Sequence, residues 1–392
     1  MKPVVIVGAA RTAIGSFQGN LAAVSAVELG SVVIKEALAR AKVDPNEVDQ
    51  VIMGNVLSAG LGQAPARQAT LGAGLPNEVE AMTINKVCGS SLASAMIGAN
   101  AIRCDDAQIV VAGGMENMSR TPYLLDRARE GYRMGDGRLI DSMIKDGLWE
   151  VYNDFHMGLA AELLSEKEDI NRGDQDQYAI ASYQKTLEAQ KRGKFKAEIV
   201  PVTIPQRRGP DLKVDEDEEP KRVKFDKITA LKPAFKEKGC ITAANASSIN
   251  DGAAAVVLTS EERANELGGK PLARVVAQAA TALAPEWFTL APVDAIKKVV
   301  ARAGLKLEDI DLFEINEAFS CVPMVAIRKL GIDPAKVNVH GGAVALGHPI
   351  GASGARVLTT LLYTLADRKG KLGLASLCIG GGEAVAMIVE RV

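Results

Sequence analysis

The chain has 392 residues, 47% of them hydrophobic and 24% charged, with a formal net charge of −2. That is too long for one ordinary core of roughly 100–150 residues, so two or three soluble globular units are expected. The near-neutral charge excludes a basic field for nucleic acid, and no apolar run approaches the ~20 residues of a membrane span. Five scattered cysteines without a CxxC pair exclude a disulfide framework and point to a reducing cytoplasm.

In chain order, residues 4–7 read as a short strand, without the pattern of a signal or transit peptide. Residues 27–41 carry apolar side chains at helical spacing, 50–53 form a strand, 92–103 a helix rich in small residues, and 109–112 a strand. The small-residue helix is expected to pack closely between sheets. From 118 to 248 the alternation is lost, and an acidic run at 215–220 lies between basic residues at 206–209 and 221–222. This stretch reads as an inserted loop domain. Residues 250–258 read as a turn and then a buried strand returning to the first half. A helix at 293–303, a strand at 312–315, a helix at 354–366 and a strand at 374–377 follow. Strands alternating with helices imply layered α/β sheets.

The chain repeats itself. Residues 39–49 resemble 301–311, residues 2–5 resemble 270–273, and residues 113–116 resemble 380–383, in the same order and at nearly equal offsets. A period this long means duplicated domains. The division expected is a first half at 1–117, completed by 249–269, the insertion at 118–248, and a second half at 270–392.

Three glycine-framed segments carry reactive side chains: Cys88 in 85–91, His348 in 346–351 and Cys378 in 377–383. Glycine lets backbone approach a ligand and frees N–H groups to hold an oxyanion. Cys88 precedes a predicted helix, whose N-terminus favours a thiolate, and a histidine is able to take its proton. Each residue alone has an ordinary alternative: a buried cysteine, a satisfied histidine, a tight strand connection. Asn316, ending a strand, is suited to holding a water or a carbonyl, or to capping the next helix. Gly347, Gly351 and Gly354 lack the G-x-G-x-x-G spacing of a dinucleotide site, and no cluster has zinc spacing.

Together, Val87-Cys88-Gly89-Ser90, Val111-Ala112-Gly113-Gly114-Met115-Glu116-Asn117-Met118-Ser119, Asn316-Glu317-Ala318-Phe319, Asn338-Val339-His340-Gly341-Gly342-Ala343 with Gly347-His348-Pro349, and Cys378-Ile379-Gly380-Gly381-Gly382 resemble the thiolase family over essentially the whole chain. The resemblance implies an α/β thiolase fold, with duplicated five-layered α/β/α/β/α halves, an inserted loop domain, and a homodimer or homotetramer. It implies that Cys88 attacks an acyl-CoA thioester, that His348 takes the Cys88 proton, and that Cys378 removes the α-proton of a second acetyl-CoA. His348 and a water on Asn316 then hold the enolate oxygen, and the N–H groups of Cys88 and Gly380 hold the acyl oxygen.

The substrate is weighed on the same resemblance. Residues 154–158 resemble the pocket loop of short-chain, acetoacetyl-forming members, which implies reversible condensation of two acetyl-CoA to acetoacetyl-CoA and CoA. A broad-range 3-ketoacyl-CoA thiolase of fatty-acid degradation is the alternative. His156 and Met157 would lie near the thioester. Leu148, Phe235, Ala243, Ser247, Ala318 and Phe319 would line the pantetheine channel, with Phe288 beside them. Arg222 and Lys221 would meet CoA phosphates or merely be solvated charges. Residues 285–292, with Phe288 where methionine is common, are closer to mitochondrial members, some of which bind potassium. Tyr183, Ala243, Ala244, Ala246 and Val344 match positions linked to that ion; no other metal and no cofactor are implied. His340 stands where short-chain members often have asparagine. A ketoacyl-carrier-protein synthase would use a Cys-His-His set, and a lipid-binding or scaffold relative would lack a reactive group.

Overall fold

The two halves of the chain build the same sheet twice. The computed structural model describes residues 2–392. Strands β1 (Val4–Thr12), β2 (Gln50–Gly54), β3 (Glu80–Ile84), β4 (Ile109–Asn117) and β5 (Asn250–Ser260) lie in the order β1-β5-β4-β2-β3. Strands β6 (Ala273–Ala282), β7 (Leu312–Ile315), β8 (Leu372–Ile379) and β9 (Glu383–Arg391) lie in the order β6-β9-β8-β7. Val337 bridges Phe313 in parallel, in the place that β3 takes in the first half. Strand directions agree pair by pair. Even the irregularity repeats, between Ile6 and Gly8 in β1 and between Val275 and Ala277 in β6. The sheets join through a short antiparallel pairing of Val5 and Ile6 with Arg274 and Ala273.

Helices make the other three layers. α1 (Ala26–Ala41) and α2 (Pro65–Gly72) cover the outer face of the first sheet. α1 starts at a capping box of Ser25 with Glu28 and stops at Lys42 in the left-handed region. α3 (Ser90–Arg103) and α8 (Ser353–Arg368) pack together between the sheets. α6 (Ala291–Ala303) and α7 (Cys321–Leu330) share the outer core of the second sheet. The small residues of α3 serve this central packing. A Cβ on Gly354 of α8 would come 2.3 Å from the Leu92 backbone nitrogen, so the two helices meet nearly backbone to backbone.

Several elements differ from the sequence reading. β1 and β4 run well past residues 7 and 112, because every position in them is buried and no alternation marks their ends. The turn expected at the start of 250–258 is strand: Asn250 and Asp251 pair with Ser16 and Gly15, and the Asn250 amide donates to the Gly15 carbonyl. The likeness of 113–116 to 380–383 does not extend to conformation. Gly113–Glu116 lie inside β4, whereas Gly381 (φ 89°) and Gly382 (φ 90°) turn the chain between β8 and β9. The insertion is less loop-like than its composition. It holds α4 (Met157–Lys167) and α5 (Arg172–Lys191), and Ile199–Val200 pairs with β1. Its residues 125–139 carry neither helix nor strand.

Candidate active site

Cys88 sits on a sharp turn immediately before α3. Val87 is held at φ 43°, the left-handed region that a β-branched residue rarely enters. The turn is pinned by Gly89 N–H donating to Lys86 O (3.0 Å), Ser90 N–H to Val87 O (3.1 Å) and Lys86 N–H to Ser90 Oγ (2.8 Å). At Gly89 a Cβ would lie 2.3 Å from Ile379 Cδ1 at the end of β8, so any larger residue would have to displace that side chain. That approach brings the two halves together at the thiol. The sulfur lies against the backbone N–H groups of Gly380 and of Cys88 itself, which favour its anion. Burial outweighs them and pushes the thiol up to about 11. The helix terminus alone therefore does not make a thiolate; a base is needed.

His348 supplies one. Its backbone N–H donates to Asn250 Oδ1 (2.9 Å), and its Nδ1 lies 2.5 Å from Ser353 Oγ. Ser353 donates its own hydrogen to Pro349 O (2.9 Å), so it accepts from Nδ1–H. The network assigns the proton to Nδ1 and leaves a lone pair on Nε2, which is buried and without a partner. Burial, and next the charge of Arg356, push the ring down to about 3, so it is a neutral imidazole. The loop is held further by Gly351 N–H donating to Glu116 Oε2 (2.9 Å). Glu116 also accepts from Asn55 Nδ2, Val56 N–H and Leu57 N–H, and burial raises it to about 7.

Cys378 is fully buried near the end of β8, next to the Gly380 turn. Burial holds its thiol well above the usual range, and charge on Cys88, and next on Cys321, opposes its ionisation further. Asn316 is 1% exposed, its Nδ2 has no partner, and its Oδ1 accepts from Arg356 Nη2 at 3.4 Å.

Cys88 and His348 open into one cavity of about 720 Å³. All ten residues expected to contact substrate line it: Leu148, His156, Met157, Arg222, Phe235, Ala243, Ser247, Phe288, Ala318 and Phe319. The sequence reading missed Phe17, Met118, Ile249 and Ile350 in the same wall, along with Asn250, Ser353 and Glu116 behind His348. Buried polar residues beside the reactive segments were the available signal. His156 stacks on Phe235 (centroids 4.7 Å apart), and its Nδ1 accepts from Gly158 N–H at 3.1 Å, capping α4. Arg222 reaches the cavity, whereas Lys221 pairs with Glu216 on the surface. His340 lies elsewhere. It borders a separate depression with Lys185, Lys194 and Arg368, apart from the cavity that Cys88 and His348 share.

Among the described residues, no group of three or more His, Cys, Asp or Glu side chains is placed to hold a metal. Tyr183 and Val344 share a small buried cluster, and Ala243 and Ala246 line the cavity. Ala246 faces Phe319 through flanking bonds, Ser247 N–H to Ala318 O and Ser320 N–H to Asn245 O, which leaves its own carbonyl out of that pairing.

The description "Thiolase, N-terminal domain" fits residues 4–262, and "Thiolase, C-terminal domain" fits residues 269–391. The chain belongs to the thiolase family. The acetyl-CoA acetyltransferase of Cupriavidus necator is 54% identical over 392 residues, 100% of both chains. That of Pseudomonas aeruginosa is 52% identical over 100% of both. Acetyl-CoA acetyltransferase B, mitochondrial, of Xenopus laevis is 52% identical over 100% of this chain and 92% of its own. The five layers and the two equivalent sheets are the thiolase fold expected from the sequence. No helix among the described residues is long and apolar enough to cross a membrane.

Proposed function

We propose that this thiolase is an acetyl-CoA C-acetyltransferase, joining two acetyl-CoA into acetoacetyl-CoA and CoA through an acetyl-Cys88 intermediate, and running the reverse cleavage with the same groups. One observation carries the reading: a buried thiol facing two backbone N–H groups shares a cavity wall with an imidazole whose Nε2 is free to accept a proton. The full-length relatives named for this activity support it.

The proton count assigns the roles. Nε2 of His348 takes the Cys88 proton as the sulfur attacks the thioester carbonyl, and the N–H groups of Cys88 and Gly380 hold the resulting oxyanion. The C–S bond to CoA breaks, and the departing thiolate takes the proton of Cys378. His348 keeps its proton and Cys378 becomes a thiolate. A second acetyl-CoA then loses its α-proton to Cys378. Burial raises this sulfur's proton affinity, which suits it to so weak a carbon acid. The enolate oxygen receives Nε2–H of His348 and the Asn316 side. Its carbon attacks acetyl-Cys88, the C–S bond breaks, and the Cys88 thiolate recovers its proton from His348. Each group ends as it began.

Two measurements test this. CoA-dependent cleavage is expected to favour acetoacetyl-CoA over medium- and long-chain 3-ketoacyl-CoA; the opposite preference would make the chain a broad-range degradative thiolase. Acylation rate is also expected to lack the limb of an ordinary imidazole near pH 6.5. Protonation removes the base, and burial moves that event down to about 3, so the loss belongs at the acid end. Glu116, raised to about 7, also titrates in the neutral range, so a limb between pH 6 and 7 that persists in Glu116→Gln would contradict a buried, neutral His348.

The same proposal includes a homodimer or homotetramer. Support comes from large apolar side chains left bare in the insertion, with Met134 98%, Leu139 68% and Tyr123 63% exposed. A monomer mass by light scattering would refute it. Free cysteines at the reactive centre suit a reducing cytoplasm.

A further inference from the structure

Arg356 is a buried cation without a direct counter-ion. It projects from α8 in the central helix layer and is 2% exposed. No carboxylate lies within ion-pair distance of it among the described residues, and its Nε and Nη1 have no partner. The acidic groups around it are engaged elsewhere. Glu198 pairs with Arg11 at 2.6 Å and accepts from Thr360 Oγ1 at 3.2 Å. Glu317 accepts from Tyr178, Ser182, Asn338 and Val344. Burial raises Glu314, on β7, to about 8 against the opposing charge of Arg356, and no hydrogen bond joins the two side chains. A charge buried this way is costly, and an apolar side chain of similar length would fill the space more cheaply. Its retention calls for a task.

Its one bond states the task. Arg356 Nη2 reaches Asn316 Oδ1 at 3.4 Å. A guanidinium only donates, so the amide atom facing it has to be the oxygen. Nδ2 is thereby turned the other way, and it is buried and unpartnered, as is Nε2 of His348. An amide free to flip would present an acceptor where the enolate oxygen needs a donor. We propose that Arg356 is a positioning residue for the carbon–carbon step: it fixes the Asn316 amide so that Nδ2 serves the enolate oxygen, directly or through a water. This rests on the acetyl-transfer reading above. Arg356 has no hydrogen bond to Cys88 or His348, and its charge lowers the proton affinity of the His348 ring, so removing it strengthens the acylation base and acylation is predicted not to fall.

The test is a double-mutant cycle on the full-length protein with acetyl-CoA, comparing wild type, Arg356→Met, Asn316→Ala and the double variant. Arg356→Met is expected to acetylate Cys88 at no less than the native rate, since His348 loses a neighbouring positive charge, with KM for acetyl-CoA little changed. Condensation kcat should fall by up to about 100-fold, the lower end of what losing an oxyanion donor costs. The double variant should be no slower than Asn316→Ala, since both changes remove one interaction. Arg356→Lys, which keeps a donor and a charge, should recover part of kcat. Additive losses, acylation falling in step with condensation, or native kcat in Arg356→Met would each overturn the inference. Where Arg356→Met fails to fold, the cycle run with Arg356→Lys applies the same additivity criterion. Wild-type protein that never acetylates Cys88 would instead refute the acetyl-transfer reading itself.

Discussion

Cys88→Ala is expected to take up no acetyl group from acetyl-CoA and to lose condensation and cleavage by about 10⁴-fold or more. The reason is covalent. Cys88 is the thiol that lies against Gly380 N–H and its own N–H, donors for the oxyanion that forms on the attacked carbonyl carbon, on the wall it shares with the free Nε2 of His348. The other four cysteines lack that setting: Cys104 is exposed, Cys240 accepts from Gln175, and Cys321 and Cys378 are enclosed in the core of the second half. The change is small sterically. Alanine keeps the Cβ, so the strained turn at Val87 and the contact of Gly89 with Ile379 need not move. Intact-mass measurement after brief exposure to acetyl-CoA decides the matter. Wild type should gain one acetyl group, mapped to Cys88, and the variant none. An acetyl adduct elsewhere, with turnover preserved, would remove Cys88 from the chemistry.

Cys378→Ala should separate the two half-reactions. CoA leaves as a thiolate, so acetylation of Cys88 should still reach completion, only more slowly without the Cys378 proton. Condensation lacks its base and should drop by roughly 10²–10⁴-fold, the range for losing a positioned acid–base group. Exchange of the acetyl-CoA methyl hydrogens with deuterium from solvent reads the same step without bond formation, and it should be lost in parallel. A variant that acetylates, exchanges and condenses like wild type would reassign the base. The buried setting of Cys378 makes the alanine tolerable: loss of one sulfur from a packed core costs about 1–2 kcal/mol, short of typical domain stability.

Most of the architecture was legible in local patterns. The period of α1 and α6, the apolar run of β7 and the small-residue helix α3 follow from side-chain spacing, because a helix or strand must turn its apolar face to the core. The repeat of 39–49 at 301–311 was legible because equivalent elements keep equivalent patterns. Misreadings arose where burial is complete. β5 begins inside an Asn-Asp-Gly that resembles a turn, yet pairing with Ser16 and Gly15 satisfies its backbone and overrides the local preference. α5 was missed because its apolar residues are few and its buried face includes Gln175, Asp176 and Ser182.

The site divides in the same way. The segments around Cys88, Asn316, His348 and Cys378 were identifiable from residue type and glycine framing. The partners that make them work were not: Ser353 setting the imidazole tautomer, Glu116 tying down the loop, and Arg356 turning an amide.

Amino-acid order by itself determined which elements form, that they form twice, and which side chains are chemically able to react. Only the tertiary structure decided that Cys88 is a thiol in need of a base, that His348 is neutral with Nε2 open, and that ten dispersed residues share one cavity. Local patterns specify faces and ends, because they act along the chain. Proton affinity and reaction geometry depend on desolvation and on distances through space, which exist only once both halves have closed around α3 and α8.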